Sequence, residues 1–301
     1  MFEALKRCVK RAVFINIPRA RKLHFWTDYK NVIHKKIVNV NPDLVLIYSK
    51  DIPHEVLKKI APLYKTAIFY PDIAPSDKKL AEFGKLVDYV FITNKTHLKH
   101  LQMNGIKKSI FCMQGCDPKA HRIVSTRNKK WASEVAFIGK PVVQERIDLL
   151  KLIDRNYKLK AWGGDWGSYG LTCLKKNIYP KEFAKICYAC PIMIGSDFVH
   201  NLECYFSNRT WITLGCGGFL LTSYSPGLET VFTKGGHLEW YHTHQECLDL
   251  IKYYLRNEDQ RKKIAMAGYK FAHSSRTYDI VINEIISQVD AQAQVDEDSP
   301  S

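Results

Sequence analysis

No stretch of this 301-residue chain is apolar for the roughly 18 to 20 residues that a membrane-spanning helix needs, so no such helix is expected. The opening residues, MFEALKRCVKRAVFINIP, mix charge with apolar side chains and lack a small-residue cleavage site, so they do not read as a secretory leader. There is no internal repeat and no low-complexity tract. Cys187 and Cys190 form a single Cys-x-x-Cys with no second pair at zinc-site spacing, and they read as small hydrophobes buried on a helix. The nine cysteines are odd in number and irregularly spaced. Free thiols in a reducing, cytoplasmic compartment follow, a host cytoplasm if a phage encodes the chain.

What is present fits a globular protein. Hydrophobic residues make up 46% of a chain long enough for two domains. The net charge of +15 is unevenly placed. Residues 1–130 hold 26 Lys and Arg against 10 Asp and Glu, a net of +16, whereas residues 131–301 hold 19 against 20, a net of −1. A basic first half predicts an acidic partner: nucleic acid, an anionic lipid surface or a phosphate-bearing glycan.

Short apolar runs alternate with helical stretches, the pattern of a parallel α/β sheet. In the first half the expected strands are 12–17, 44–48, 67–70, 89–93 and 109–113, and the expected helices include 54–61, 78–85 and 95–104. Ligands bind such sheets at the carboxyl ends of the strands, which directs attention to loops 18–22, 49–53, 71–75, 94–97 and 114–118. Residues 121–131 read as a polar, basic linker. A second α/β unit then begins at 134–140, with further strands at 159–162, 192–196 and 219–222. The division expected is 1–130, 131–290 and an acidic frayed tail, 291–301.

The most informative segment is 207–232, SNRTWITLGCGGFLLTSYSPGLETVF. A helix start with Asn208, Arg209 and Trp211 runs into Gly215, Gly217 and Gly218, then a buried strand, then a Pro226-Gly227 turn. Glycines between helix and strand either cap the helix or let backbone amides approach a phosphate, with Arg209 as fixed charge beside them. The run Arg209, Trp211, Leu214 to Thr222, Pro226 to Glu229 and Phe232 resembles the C-terminal domain of group 1-type glycosyltransferases, in their spore-maturation-protein-like branch. HLEWY, YYLRNEDQRKKIAMAG and HSSRTYD fit the ending of that branch. The resemblance implies the GT-B fold: two Rossmann-like domains facing each other across a cleft, with the nucleotide-sugar donor in the second and the last helix crossing back to the first. Relatives open on a strand and a glycine-rich turn, but this chain starts at what reads as the following helix, 2–10, so the first domain looks trimmed of that strand.

Sugar transfer from a nucleotide diphosphate requires a stabilised pyrophosphate, a held nucleoside and a deprotonated acceptor hydroxyl. The chain has no isolated Asp-x-Asp on a loop, which favours a transferase that needs no metal; no bound cofactor is expected. For the pyrophosphate the candidates are Gly139 and Lys140, Asn208 and Arg209, and the Gly217/Gly218 turn. Gly163 and Gly164, in WGGDW, are candidates for the nucleotide pocket, and Trp166, Tyr188 and Tyr224 for stacking on the base. The paired glutamates of many group 1 relatives are missing, since those positions are Cys204 and Ile212; Glu229, following Gly227, is the replacement candidate for the ribose. Asp72 is the leading candidate base, expected to be tuned by partial burial, with His97 and His54 as alternatives.

The expected donor is a UDP-sugar ahead of a GDP-sugar. Lys6, Arg7, Lys10, Arg11, Arg19, Arg21, Lys22, Lys35 and Lys36 are interleaved with His24, Phe25, Trp26 and Tyr29, which suits phosphate contacts with base stacking. A hydroxylated base in DNA, flipped from the helix, is the leading acceptor. An anionic surface glycan or a lipid-linked acceptor at a membrane face is the alternative, as is a non-enzymatic nucleic-acid-binding protein on the same fold. A monomer or homodimer is expected.

Overall fold

β-branched and aromatic residues make short buried strands in both halves, and within each half successive strands are joined by segments that carry the chain back for another parallel strand. The structure, a computed structural model, describes residues 29–48, 52–73, 77–173, 177–197 and 199–297. The expected helix 2–10, strand 12–17 and loop 18–22, with the basic and aromatic residues up to Trp26, lie outside the described residues. So do residues 49–51 and 74–75 of two expected strand-end loops, and residues 298–301 of the expected tail.

The chain divides into two compact units, residues 1–114 with 281–301 and residues 115–280. The expected division at 130 therefore falls within the second unit. In the first unit, helix α1 (Tyr29–Val40) precedes β1 (Leu44–Tyr48), α2 (His54–Ile60), β2 (Lys65–Tyr70), α3 (Asp77–Gly84), β3 (Tyr89–Ile92), α4 (Lys95–Met103) and β4 (Ser109–Phe111). The four strands are parallel and lie in sequence order. Ile47, Ile68, Val90 and Ile92 pack with Ile33, Leu57, Ile60 and Leu101 of the surrounding helices. At the carboxyl edge, the Thr93 hydroxyl and the Gln114 amide both donate to the Pro71 carbonyl, at 3.3 and 2.7 Å.

The second unit holds β5 (Val135–Ile138), α5 (Gln144–Asn156), β6 (Leu159–Trp162), α6 (Pro180–Ala189), β7 (Ile192–Gly195), α7 (Arg209–Gly215), β8 (Leu220–Ser223), β9 (Glu239–Tyr241), α8 (His244–Arg256) and α9 (Glu258–Ser275). Its parallel sheet has the order β6-β5-β7-β8-β9. Alternate residues serve its two faces. Val135, Phe137, Ile192, Ile194 and Leu221 pack with Ile147, Leu150 and Ile153 of α5 and Ile251 and Tyr254 of α8. Both Cys187 and Cys190 are buried, and the Cys190 thiol donates to the Trp131 carbonyl. Burial pushes the Cys190 thiol up to about 12, so it stays protonated as the small hydrophobe its sequence context suggested.

The two ends of the second unit are stitched together. Cys116 N–H donates to the Arg276 carbonyl at 3.0 Å, and Tyr278 N–H donates to the Cys116 carbonyl at 2.8 Å. Gly115 lies so close to this pairing that a Cβ there would stand 2.5 Å from the Arg276 carbonyl oxygen. Helix α10 (Tyr278–Glu297) follows, and from Val281 onward it belongs to the first unit.

Beside this junction, His121 is buried and accepts a hydrogen bond at Nδ1 from Asp117 N–H, 2.9 Å long. Burial lowers its pKa to about 4, against an opposing pull from Asp117. The unfolded chain protonates this imidazole near 6.5 and the folded protein only near 4. Stability is therefore complete above about pH 6.5 and is lost as pH falls towards 4, by about 3 kcal/mol from this group. Urea unfolding at a series of pH values should show that decline in the wild type and a shallower one in His121→Asn.

Candidate active site

Strand β5 leads to β6 on one side of itself, and the chain then crosses to β7 on the other. Such a reversal opens a crevice at the carboxyl ends of β5 and β7. Gly139 and Lys140 follow β5 there, and Ser196 and Asp197 follow β7. Arg146, on the first turn of α5 and 2% exposed, ties the two strand ends together. Its guanidinium donates to the Lys140 carbonyl at 2.7 Å and to the Ser196 carbonyl at 2.6 Å. Burial lowers its pKa to about 10, with Arg209 adding to the effect and Asp197 opposing it, so it remains charged at neutral pH.

Three glycines let the loops of β5 and β6 lie against each other. Gly139 N–H continues the sheet to the Trp162 carbonyl at 2.8 Å, and its carbonyl accepts from Trp166 Nε1 at 2.8 Å. A side chain on Gly139 would stand 2.9 Å from the Phe137 ring and 3.2 Å from the Arg209 guanidinium. Gly163 has φ +87°, and a Cβ there would be 3.1 Å from Gly139 N; one on Gly164 would be 2.6 Å from Pro141 Cδ.

Arg209 opens α7 and lies over the Phe137 ring, 5.9 Å from its centroid. One guanidinium nitrogen is 3.9 Å from Asp197 Oδ1. The Asp197 side chain is 5% exposed and Arg209 32%, so the arginine keeps an open side. Both Asp197 oxygens accept from Ser207 N–H, at 3.2 and 3.1 Å. Burial raises the pKa of this carboxyl, while Arg209, the Ser207 amide and Arg146 pull it back down. A small pocket beside Arg209 and Asp197 is lined by Ser196, Ser207, Thr210 and Thr222 together with apolar residues such as Ile138 and Met193. The arrangement offers a fixed cation, an exposed Lys140 at the rim and backbone in close approach, which is the chemistry that holds phosphate oxygens.

Residues 144–287 match the family described as "Glycosyl transferase-like". Those residues form a glycosyl transferase-like domain, and the chain has the GT-B fold. Its fold is similar to that of Anabaena HepE in complex with UDP-glucose, at a TM-score of 0.65 and 14% identity, covering 93% of this chain and 85% of HepE. Sucrose-phosphate synthase from Thermosynechococcus elongatus superposes with a TM-score of 0.68 and 11% identity, covering 94% and 82%. A glycosyltransferase from Rickettsia africae ESF-5 gives 0.62 and 12%, covering 96% and 86%. No curated protein matches the sequence.

Of the expected donor-site residues of the transferase, Gly139, Lys140, Gly163, Gly164, Asn208 and Arg209 gather at the crevice. Gly227 and Glu229 follow β8 at the same edge of the sheet. Gly227, with φ +87°, packs its α-carbon against Cys204, and the exposed Glu229 accepts from the Tyr224 hydroxyl at 3.0 Å. The Gly217/Gly218 turn is elsewhere. It ends α7, which is about 10 Å long at 1.5 Å per residue. Gly217 N–H donates to the Leu214 carbonyl and Gly218 N–H to the Thr213 carbonyl, the pairing that closes a helix C-terminus, with φ +72° at Gly217. Both amides are consumed there, so the phosphate role expected of this turn is corrected to a helix cap. Trp166 is likewise core, fully buried edge-on to Phe137, rather than a stacking platform. Tyr188 sits at the end of α6 that leads into the start of β7, the opposite edge of the sheet from the crevice. Tyr224 stays on the correct edge, its ring 4.6 Å from that of His242.

The candidate bases lie in the first unit. Asp72, at the end of β2, is exposed, not partly buried as expected. His54 is exposed at the start of α2 and rests against the Phe83 ring. His97 is buried in the first turn of α4, where its N–H is capped by Asn94 Oδ1 at 2.7 Å. Sequence reasoning missed Arg146 and Asp197 altogether. A Ser-Asp pair directly after the apolar run 192–195 was the available signal for Asp197.

Proposed function

We propose that the transferase moves a sugar from a UDP-sugar to an acidic acceptor, and that the acceptor is a hydroxylated base in DNA. The donor reading rests on one observation: Arg209 is aimed over Gly139 at the reversal point of the second sheet, inside the segment that matches the family. Arg209 and Lys140 would take up the charge that develops on the leaving diphosphate, and Gly163 and Gly164 would let the nucleotide lie close to the backbone. Glu229 would face the ribose. The reaction as proposed needs no metal. For the acceptor hydroxyl, Asp72 is the proposed base because it stands exposed at a strand end, with His54 and His97 as the alternatives.

The acceptor reading rests on charge: +16 over residues 1–130 against −1 over the remainder. Within group 1, the LGCGGFLLT run supports a reading of the chain as one of the spore-maturation-protein-like branch. A titration with single- and double-stranded DNA across a salt series, with and without UDP-glucose, tests both parts. Binding should weaken steeply between 50 and 200 mM salt, by about 10-fold or more if several phosphates are neutralised. Glucose should appear on hydroxymethylated DNA. Weak, salt-insensitive binding would move the acceptor to an anionic glycan or a lipid-linked sugar. DNA binding without any binding of nucleotide sugar would favour the non-enzymatic reading.

A further inference from the structure

We propose that Asp197 is a positioning residue of the donor site, acting through Arg209: it holds the guanidinium over Gly139 so that the open N–H groups meet the diphosphate already aligned. This rests on the donor reading above. Three observations carry it. The carboxylate is buried at the reversal point of the sheet, beside the two arginines of the crevice. Both of its oxygens accept from Ser207 N–H, two residues before Arg209, so the acid fixes the start of α7 as well as the side chain. Among the described residues the ion pair is one long contact of 3.9 Å, which orients the arginine while leaving most of its five donors for a ligand.

The alternative, a carboxylate that merely stabilises the fold, makes a different prediction for paired substitutions. Asp197→Asn keeps an oxygen for the Ser207 amide and removes the charge that steers Arg209. In the full-length protein it should bind UDP about 10-fold more weakly than wild type. In an Arg209→Ala background, Asp197→Asn should change affinity by less than about 2-fold, because the group through which it acts is gone. Equal losses in both backgrounds, or no loss in the first, would overturn the proposal.

A second measurement needs no substitution at 197. In spectra of wild-type protein labelled with 15N-arginine, the Arg209 signal, assigned by its absence from Arg209→Ala, should show slowed rotation of the guanidinium before any ligand is added. A freely rotating group there would sink the idea even if Asp197→Asn failed to fold. Binding of UDP that Arg209→Ala weakens, with a freely rotating Arg209 or an additive cycle, removes this inference and leaves the donor reading standing. Failure of wild type to bind UDP, UDP-glucose or inorganic pyrophosphate removes both.

Discussion

Arg209→Ala should weaken UDP binding by about 30-fold to 1,000-fold, a loss of about 2–4 kcal/mol. The size follows from one to two charge-assisted hydrogen bonds, each worth about 1.5–3 kcal/mol. The loss of stability should stay below that of Arg146→Ala, because the side chain is a third exposed and its ion pair to Asp197 spans 3.9 Å. Isothermal titration with UDP, alongside thermal unfolding, separates the two effects. A loss below about 3-fold would mean that the arginine faces away from the donor.

Arg146→Ala should act in the opposite sense, on stability first. The guanidinium is buried, satisfies two strand-end carbonyls and lies 5.5 Å from the centre of the Phe137 ring. Its removal leaves the Ser196 carbonyl without its donor and the Lys140 carbonyl with Val142 N–H alone, takes a positive charge from beside Asp197 and opens a void. Such losses reduce the free energy of unfolding by about 3–5 kcal/mol. Arg146→Met, which fills the volume but supplies no donor, should recover only part of it. Urea denaturation of the intact chain reads both variants. A loss under 1 kcal/mol for Arg146→Ala would show that the strand ends hold themselves.

These two arginines also show what a sequence can and cannot reveal. Arg209 was legible because it starts a helix within a recognisable run, and Gly139 and Gly163 because each follows an apolar strand. Arg146 was not, since a charged residue amid Gln144, Glu145 and Asp148 reads as the solvent face of an amphipathic helix. Its burial depends on a strand end 50 residues away. Gly217 and Gly218 misled for a related reason: two glycines after a helix serve a C-cap and a phosphate loop equally well, and only the destination of their amides decides. Strand β9 was missed because three residues are too few to show a period, and its Glu239 is buried against the Tyr254 hydroxyl. Most other strands were placed within one or two residues, because parallel strands buried on both faces are continuous apolar runs.

The backbone pairing of Cys116 with Arg276 and Tyr278 has a practical consequence. A segment hydrogen-bonded to itself within a few residues of both ends is topologically a self-closed insert. It could be excised at 115 and 280, or its termini joined by a short linker and new ones opened in a surface loop, without stretching the backbone. Circular permutants of 115–280 would then give a minimal module of about half the chain, in which donor recognition could be studied apart from whatever the other half receives.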